Sequence, residues 1–152
     1  MRLKKSRQLR LLLVEDDSTD AKIAQMVFQK PPDPWEIVWV RDGQEALDLL
    51  FKRGKYARDT WMPDLVLLNI NMPKVKGYEV LERMKRDPSL SLIPVVMWSI
   101  SRMPESIEHS YRLGAAAYLP KAISTREAKE DLAAVRHFWE RVKLLTRMGE
   151  RG

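Results

Sequence analysis

Five polar residues stand where apolar runs of this chain stop. Leu11-Leu12-Leu13-Val14 runs into Glu15 and Asp16, Leu65-Val66-Leu67-Leu68 ends at Asn69, Val95-Val96-Met97-Trp98 ends at Ser99, and a short fourth run ends at Lys121. Acids, a hydroxyl and a lysine at the ends of buried strands are the parts of a metal site that accepts a phosphoryl group. Such a site needs a carboxylate nucleophile at its centre. Asn69 occupies that place, and its amide nitrogen has a delocalised lone pair and no charge, so it cannot form an acyl phosphate.

These residues need elements to bring them together, and the hydrophobic periodicity supplies them. It switches repeatedly between short apolar runs and helical patterns. Strands are expected at Leu9–Glu15, Ile37–Val40, Asp64–Ile70, Ile93–Ser99 and Ala116–Leu119. Helices are expected at Ser18 to about Gln29, from Asp42 as cap to Gly54, at Gly77–Arg86, from Pro104 to Gly114, and from Ser124 to about Met148. Asp42 with Glu45 and Ser124 with Glu127 have capping-box spacing, and Pro104 suits a first helical turn. The third strand is apolar without alternation, as expected when both faces are covered. Five β-then-α units predict a doubly wound five-stranded parallel sheet flanked by five helices. Ligands of such sheets bind outside the carboxyl ends of the strands, where Glu15, Asp16, Asn69, Ser99 and Lys121 all fall.

Bulk properties narrow the function classes. At 152 residues the chain is expected to form one domain, a basic arm over 1–8 followed by a folded unit over 9–148 with an extended last helix. No apolar run approaches the roughly 20 residues a membrane span needs. The chain has no cysteine, which excludes disulfides and thiolate metal sites and fits a reduced, cytoplasmic setting. The net charge of +6 is partly concentrated in Arg2, Lys4, Lys5, Arg7 and Arg10. No aromatic residue interleaves that cluster, which points away from a single-stranded nucleic-acid site and toward a solvated terminus. Asp17 and Asp20 read as acids at the positive end of the first helix, and His109 and His137 as structural or solvated.

Taken together the residues resemble the receiver domain of two-component response regulators, a flavodoxin-like fold with strand order 2-1-3-4-5. The resemblance implies Mg²⁺ held by Glu15, Asp16 and the carbonyl of Asn71, a phospho-acceptor at position 69, and phosphoryl contacts from Ser99 and Lys121. It places Tyr118 at the family's aromatic switch position. The stretches RDGQEALDLL, GKYARDTWMPDLVLLNINMP and IPVVMWSIS, and the pair Phe138-Trp139, are similar to single-domain regulators that partner phytochrome-type histidine kinases and tend to dimerise. Two features depart from the family: Ala122 follows Lys121 where a proline is usual, and Asn69 replaces the acceptor aspartate. With two carboxylates instead of three, Mg²⁺ binding is expected to be weak or absent, because like charges about 4 Å apart repel by about 4 kcal/mol at an effective dielectric near 20 and one such charge is gone.

In the last helix, Ala128, Leu132, Val135, Trp139 and Val142 form one apolar seam, while Ala134, Phe138 and Leu145 form a second. One face suffices to cover a sheet. The second suggests a homodimer through helix four, strand five and helix five, with Leu132, Val135, Phe138, Trp139 and Val142 as switch or interface residues. About thirty residues follow Lys121 and one helix is expected to use them, so a DNA-binding effector domain is not expected. The expected function is a non-enzymatic regulator that signals through protein contacts without phosphorylation at residue 69. The alternatives are an ordinary phospho-accepting regulator carrying an Asp-to-Asn substitution, and a haloacid-dehalogenase-like phosphatase with Glu15 heading its motif.

Overall fold

The computed structural model describes residues 7–142 and 144. Its elements alternate as β1 (Arg10–Val14), α1 (Ser18–Phe28), β2 (Glu36–Val40), α2 (Gly43–Leu50), β3 (Leu65–Leu68), α3 (Gly77–Arg86), β4 (Val95–Ser99), α4 (Pro104–Arg112), β5 (Ala117–Pro120) and α5 (Thr125–Arg141). The sheet is parallel throughout with order β2-β1-β3-β4-β5. The strand order therefore reverses beside β1, between it and β3, the place where open sheets of this kind open a crevice.

Successive strand residues point to opposite faces, and each face has its own core. Leu12, Val14, Val66, Leu68, Val95 and Met97 pack under α2 and α3, whereas Leu11, Leu13, Leu65, Leu67, Val96 and Trp98 pack under α1 and α5. That two-sided burial is why the central strands lack polar alternation. Caps fall where the side-chain chemistry dictates. The amides of Asp20, Glu45 and Glu127 donate to Asp17, Asp42 and Ser124 respectively.

Three expectations need correction. The second helix ends at Leu50 with Phe51 as its cap, before Gly54, and Lys52 takes a positive φ of 58°. Gly54–Tyr56 and Leu90–Leu92 form short 3₁₀ turns that the periodicity does not announce. The last helix stops at Arg141 rather than near Met148: Val142 is extended, and its N–H closes the helix on the Phe138 carbonyl. Trp139 is the last α5 side chain packed on the core beneath α1 and α5. Leu145 and the expected helix end at 148 lie outside the described residues, as do residues 1–6 of the basic arm. Arg7, at that arm's end, pairs with the buried Asp64 at 2.6 Å.

The two α5 stripes separate in space. Leu132 has no exposed surface and belongs to the core, not to an interface as expected. Val135 and Trp139 pack partly buried against the same cluster. Phe138 faces outward, 55% exposed.

Candidate functional site

Parallel pairing in register sets the site. Val14 pairs with Leu68, so the next residues along each strand, Glu15 and Asn69, leave the sheet side by side. The Asn69 amide nitrogen lies 3.2 Å from Glu15 Oε2 and 3.1 Å from Asp16 Oδ1. With two carboxylates facing it, only the donating end of the amide can turn inward; the oxygen would be repelled. Asn69 thus spans the acidic pair as a neutral donor.

From the other side comes Lys121. Its backbone N–H donates to the Ser99 carbonyl at 2.7 Å, continuing the β4–β5 pairing beyond Pro120. Its ammonium sits 2.8 Å from Glu15 Oε1 and 2.7 Å from Asp20 Oδ2, above the Trp98 ring at 4.9 Å. Glu15 Oε1 is sealed from solvent, and among the described residues its close partner is the Lys121 ammonium. Glu15 Oε2 also accepts from the Asp17 amide at 3.0 Å.

The electrostatics follow from burial and partner number. Burial pushes the Glu15 pKa up, and Lys121 offsets this only in part. Burial alone would lower the Lys121 pKa, but hydrogen bonds and charge from Asp20 and Glu15 outweigh it and raise it. The directions are consistent, because the lysine has two carboxylates whereas Glu15 has a single cation to share.

Glu15, Asp16, Asn69 and Lys121 therefore come together as the sequence suggested. Ser99 lies at the end of β4 beside them, fully buried, its hydroxyl 3.5 Å from the Ser101 amide. Asn71 is exposed in the loop after β3. Tyr118 lies to one side on β5: its hydroxyl donates to the Ser101 carbonyl at 2.7 Å, and its N–H donates to the Tyr111 hydroxyl at 3.1 Å.

Three residues escaped the sequence reading. Asp20, by its position a dipole partner of α1, is the second counter-charge of Lys121; its place one turn into a helix whose cap follows the acidic pair is the available signal. Trp39 donates its indole N–H to the Glu15 carbonyl at 2.7 Å, which an apolar strand pattern hides. Gly77 lies so close behind β3 that a Cβ there would fall 2.1 Å from the Asn69 carbonyl oxygen. Only glycine lets α3 start directly behind the central residue, and the Gly77 N–H donates to the Ile70 carbonyl at 2.7 Å.

As a divalent-cation site the set fits poorly. The position between the acids holds an amide donor rather than a third carboxylate, and the Lys121 ammonium already meets Glu15. Among the described residues no group of three acidic or histidine side chains is placed to hold a metal ion.

Comparison with known proteins agrees with the fold. Residues 11–133 match the family model described as the response regulator receiver domain. Response regulator Rcp1 of Synechocystis is 33% identical over 129 residues, which cover 85% of this chain and 87% of Rcp1. The crystal structure of the phosphorylated cyanobacterial phytochrome response regulator RcpA superposes with a TM-score of 0.88 at 36% identity, covering 92% of this chain and all of RcpA. The Mn(2+)-bound form of Rcp1 gives 0.86 at 33% identity, covering 91% of this chain and 99% of Rcp1. Nothing in these matches supports the phosphatase alternative. With residues 11–133 matching that family model and a sheet of order β2-β1-β3-β4-β5 shared with its solved structures, the chain belongs to the response regulator receiver domain family.

Proposed function

We propose that this receiver domain regulates through protein–protein contacts and does so without an aspartyl phosphate at residue 69. One observation carries the reading: the carboxamide of Asn69 holds the central position, its nitrogen bridging Glu15 and Asp16, while Lys121 is shared between Glu15 and Asp20. Three carboxylates against one lysine leave the crevice net negative, but the group at its centre is an amide donor that cannot form an acyl phosphate. Mg²⁺ binding is weak because an amide donor stands in place of a third carboxylate and the Lys121 ammonium already meets Glu15. Signals to a partner run through the loop after Ser99, where the Tyr118 hydroxyl ties β5 to Ser101 at the entrance to α4.

Similarity to RcpA and Rcp1 supports a phytochrome-type histidine kinase as the upstream partner and cytoplasmic signalling as the setting. The outward Phe138, next to a half-buried Trp139, supports a homodimer through α4, β5 and α5.

The test is incubation with Mg²⁺ and acetyl phosphate, followed by intact-mass measurement and peptide mapping, on the wild type and on Asn69→Asp. The wild type should gain no phosphoryl group on the peptide containing residue 69, whereas the aspartate variant should gain one and bind Mg²⁺ more tightly. A phosphoryl group mapped to residue 69 of the wild type overturns the proposal. An inert Asn69→Asp would show instead that more than this side chain separates the chain from phospho-accepting relatives.

A further inference from the structure

The sheet rim opposite the crevice carries a groove that the reading above leaves unused. Because α2 and α3 return antiparallel to the strands, their carboxyl ends meet there. Phe51, Arg53, Arg83, Arg86, Asp87 and Pro88 line an open groove of about 300 Å³.

Basic side chains in this region divide into two kinds. Lys85 donates to the carbonyls of Ser91 and Ile93 at 3.0 and 2.9 Å, and Lys52 donates to the Trp61 carbonyl. Burial lowers the pKa of both; these lysines hold loops. The arginines do not. Arg53 has no carboxylate partner among the described residues and lies 5.0 Å over the Phe51 ring. Among the described residues Arg83 and Arg86 reach only Glu79 and Glu82, one turn back on their own helix, at 3.6 and 3.0 Å, with all four side chains well exposed. Pairs of that kind hold their partners weakly. The groove's own acid is already engaged, since Asp87 Oδ1 accepts from the amides of Ser89 and Leu90, both at 2.9 Å. The result is a set of guanidinium forks beside an apolar ledge of Phe51 and Pro88.

We infer that this groove docks an acidic, extended segment of a protein partner, its carboxylates on Arg53, Arg83 and Arg86 and an apolar side chain on the Phe51–Pro88 ledge. Planar guanidiniums match carboxylates two bonds at a time. A shallow, open groove cannot enclose a small molecule as concave ligand pockets do, whereas an extended chain meets all three arginines at once. The groove lies at the far rim from the crevice and does not involve α4, β5 or α5. Docking there does not depend on residue 69, so the inference stands or falls apart from the function proposed above.

The experiment uses the full chain and a fluorescently labelled peptide of alternating glutamate and leucine, with binding read by anisotropy at low salt. Arg53→Glu with Arg86→Glu should weaken binding roughly tenfold. Lys22→Glu with Arg126→Glu, which makes the same change in net charge at exposed positions elsewhere, should change it less than about twofold. Circular dichroism of both variants should match the wild type, since all four side chains lie at the surface. Equal losses in the two double variants would reduce the effect to the overall positive charge and overturn the inference, as would absence of peptide binding to the wild type. Inorganic phosphate that binds the wild type and displaces the peptide, with both effects lost in Arg53→Glu/Arg86→Glu, would replace the protein segment by a small anion.

Discussion

The helices α5 and α4 flank β5 and yet are fastened to the molecule in different ways. On α5, Leu132 is fully buried and Ala128 nearly so, in the core shared with α1. Arg136 then clamps the far end of α1. Its guanidinium donates to the carbonyls of Val27, Lys30 and Asp33 at 2.6, 3.0 and 2.8 Å and to Glu140 at 2.9 Å. Glu140 in turn accepts from the Trp35 indole at 3.0 Å. α4 buries one residue, Ser110, whose hydroxyl donates back to the Ser106 carbonyl of its own helix. Polar contacts hold it otherwise: the Tyr78 hydroxyl to the Ser106 carbonyl at 3.2 Å, Ser101 to Ser106 at 2.9 Å, and the Tyr78–His109 ring contact at 4.5 Å. Apolar burial fixes a helix with many small attractions that fail together, whereas a few hydrogen bonds at a water-accessible surface open singly. One side of the proposed partner face is therefore rigid and the other is free to adjust.

The strongest way to break that contrast is Leu132→Ala. It should cost about 3 kcal/mol of global stability in urea denaturation, through lost burial and the cavity left between α1 and α5. A loss under about 1 kcal/mol would mean that α5 is no better anchored than α4. Arg136→Ala comes next, at about 2 kcal/mol, because three carbonyls lose a charged donor. Arg136→Lys should recover little of it, since an ammonium cannot reach three carbonyls in different directions. On the other helix, Tyr78→Phe should cost no more than about 1 kcal/mol globally. Its clearer sign is faster amide hydrogen exchange across 104–112 with the α5 amides unchanged; acceleration in both helices would erase the distinction.

The smallest expected effect concerns two glutamates with opposite behaviour. Burial alone would raise the Glu140 pKa, but the Trp35 and Arg136 hydrogen bonds outweigh it and lower the value. Its contribution is present above the ordinary glutamate pKa and is lost as pH falls through the depressed value. Glu15 is raised, so its titration works in reverse: the cost of its buried charge appears as pH rises from the ordinary value through the raised one. Stability measured against pH should lose the acid-side decline in Glu140→Gln and the rise toward acid in Glu15→Gln. Carboxyl NMR titrations with Glu15 below Glu140 would reverse the assignment.

Much of this was legible in the chain before any coordinates. Uniformly apolar runs predicted strands covered on both faces, and parallel pairing then forced the residues that end those runs onto one rim. That logic brought Glu15, Asp16, Asn69 and Lys121 together without any knowledge of distances. It failed where the signal lies in packing rather than in pattern. Leu132 and Phe138 are both apolar residues of one helix, and only the position of α1 and the sheet decides that the first is core and the second surface. Asp20 looked like a helix-start acid because its partner is a hundred positions away in sequence.

The sequence alone determined the order of elements, the rim on which the site forms and the carboxamide at its centre, because periodicity and residue type are local properties. Tertiary structure alone decided that Lys121 is shared between Glu15 and Asp20, that the last helix stops at Arg141, and that three arginines gather at the far rim. Each of those depends on which remote surfaces meet, and contact between remote surfaces is set by the packed whole.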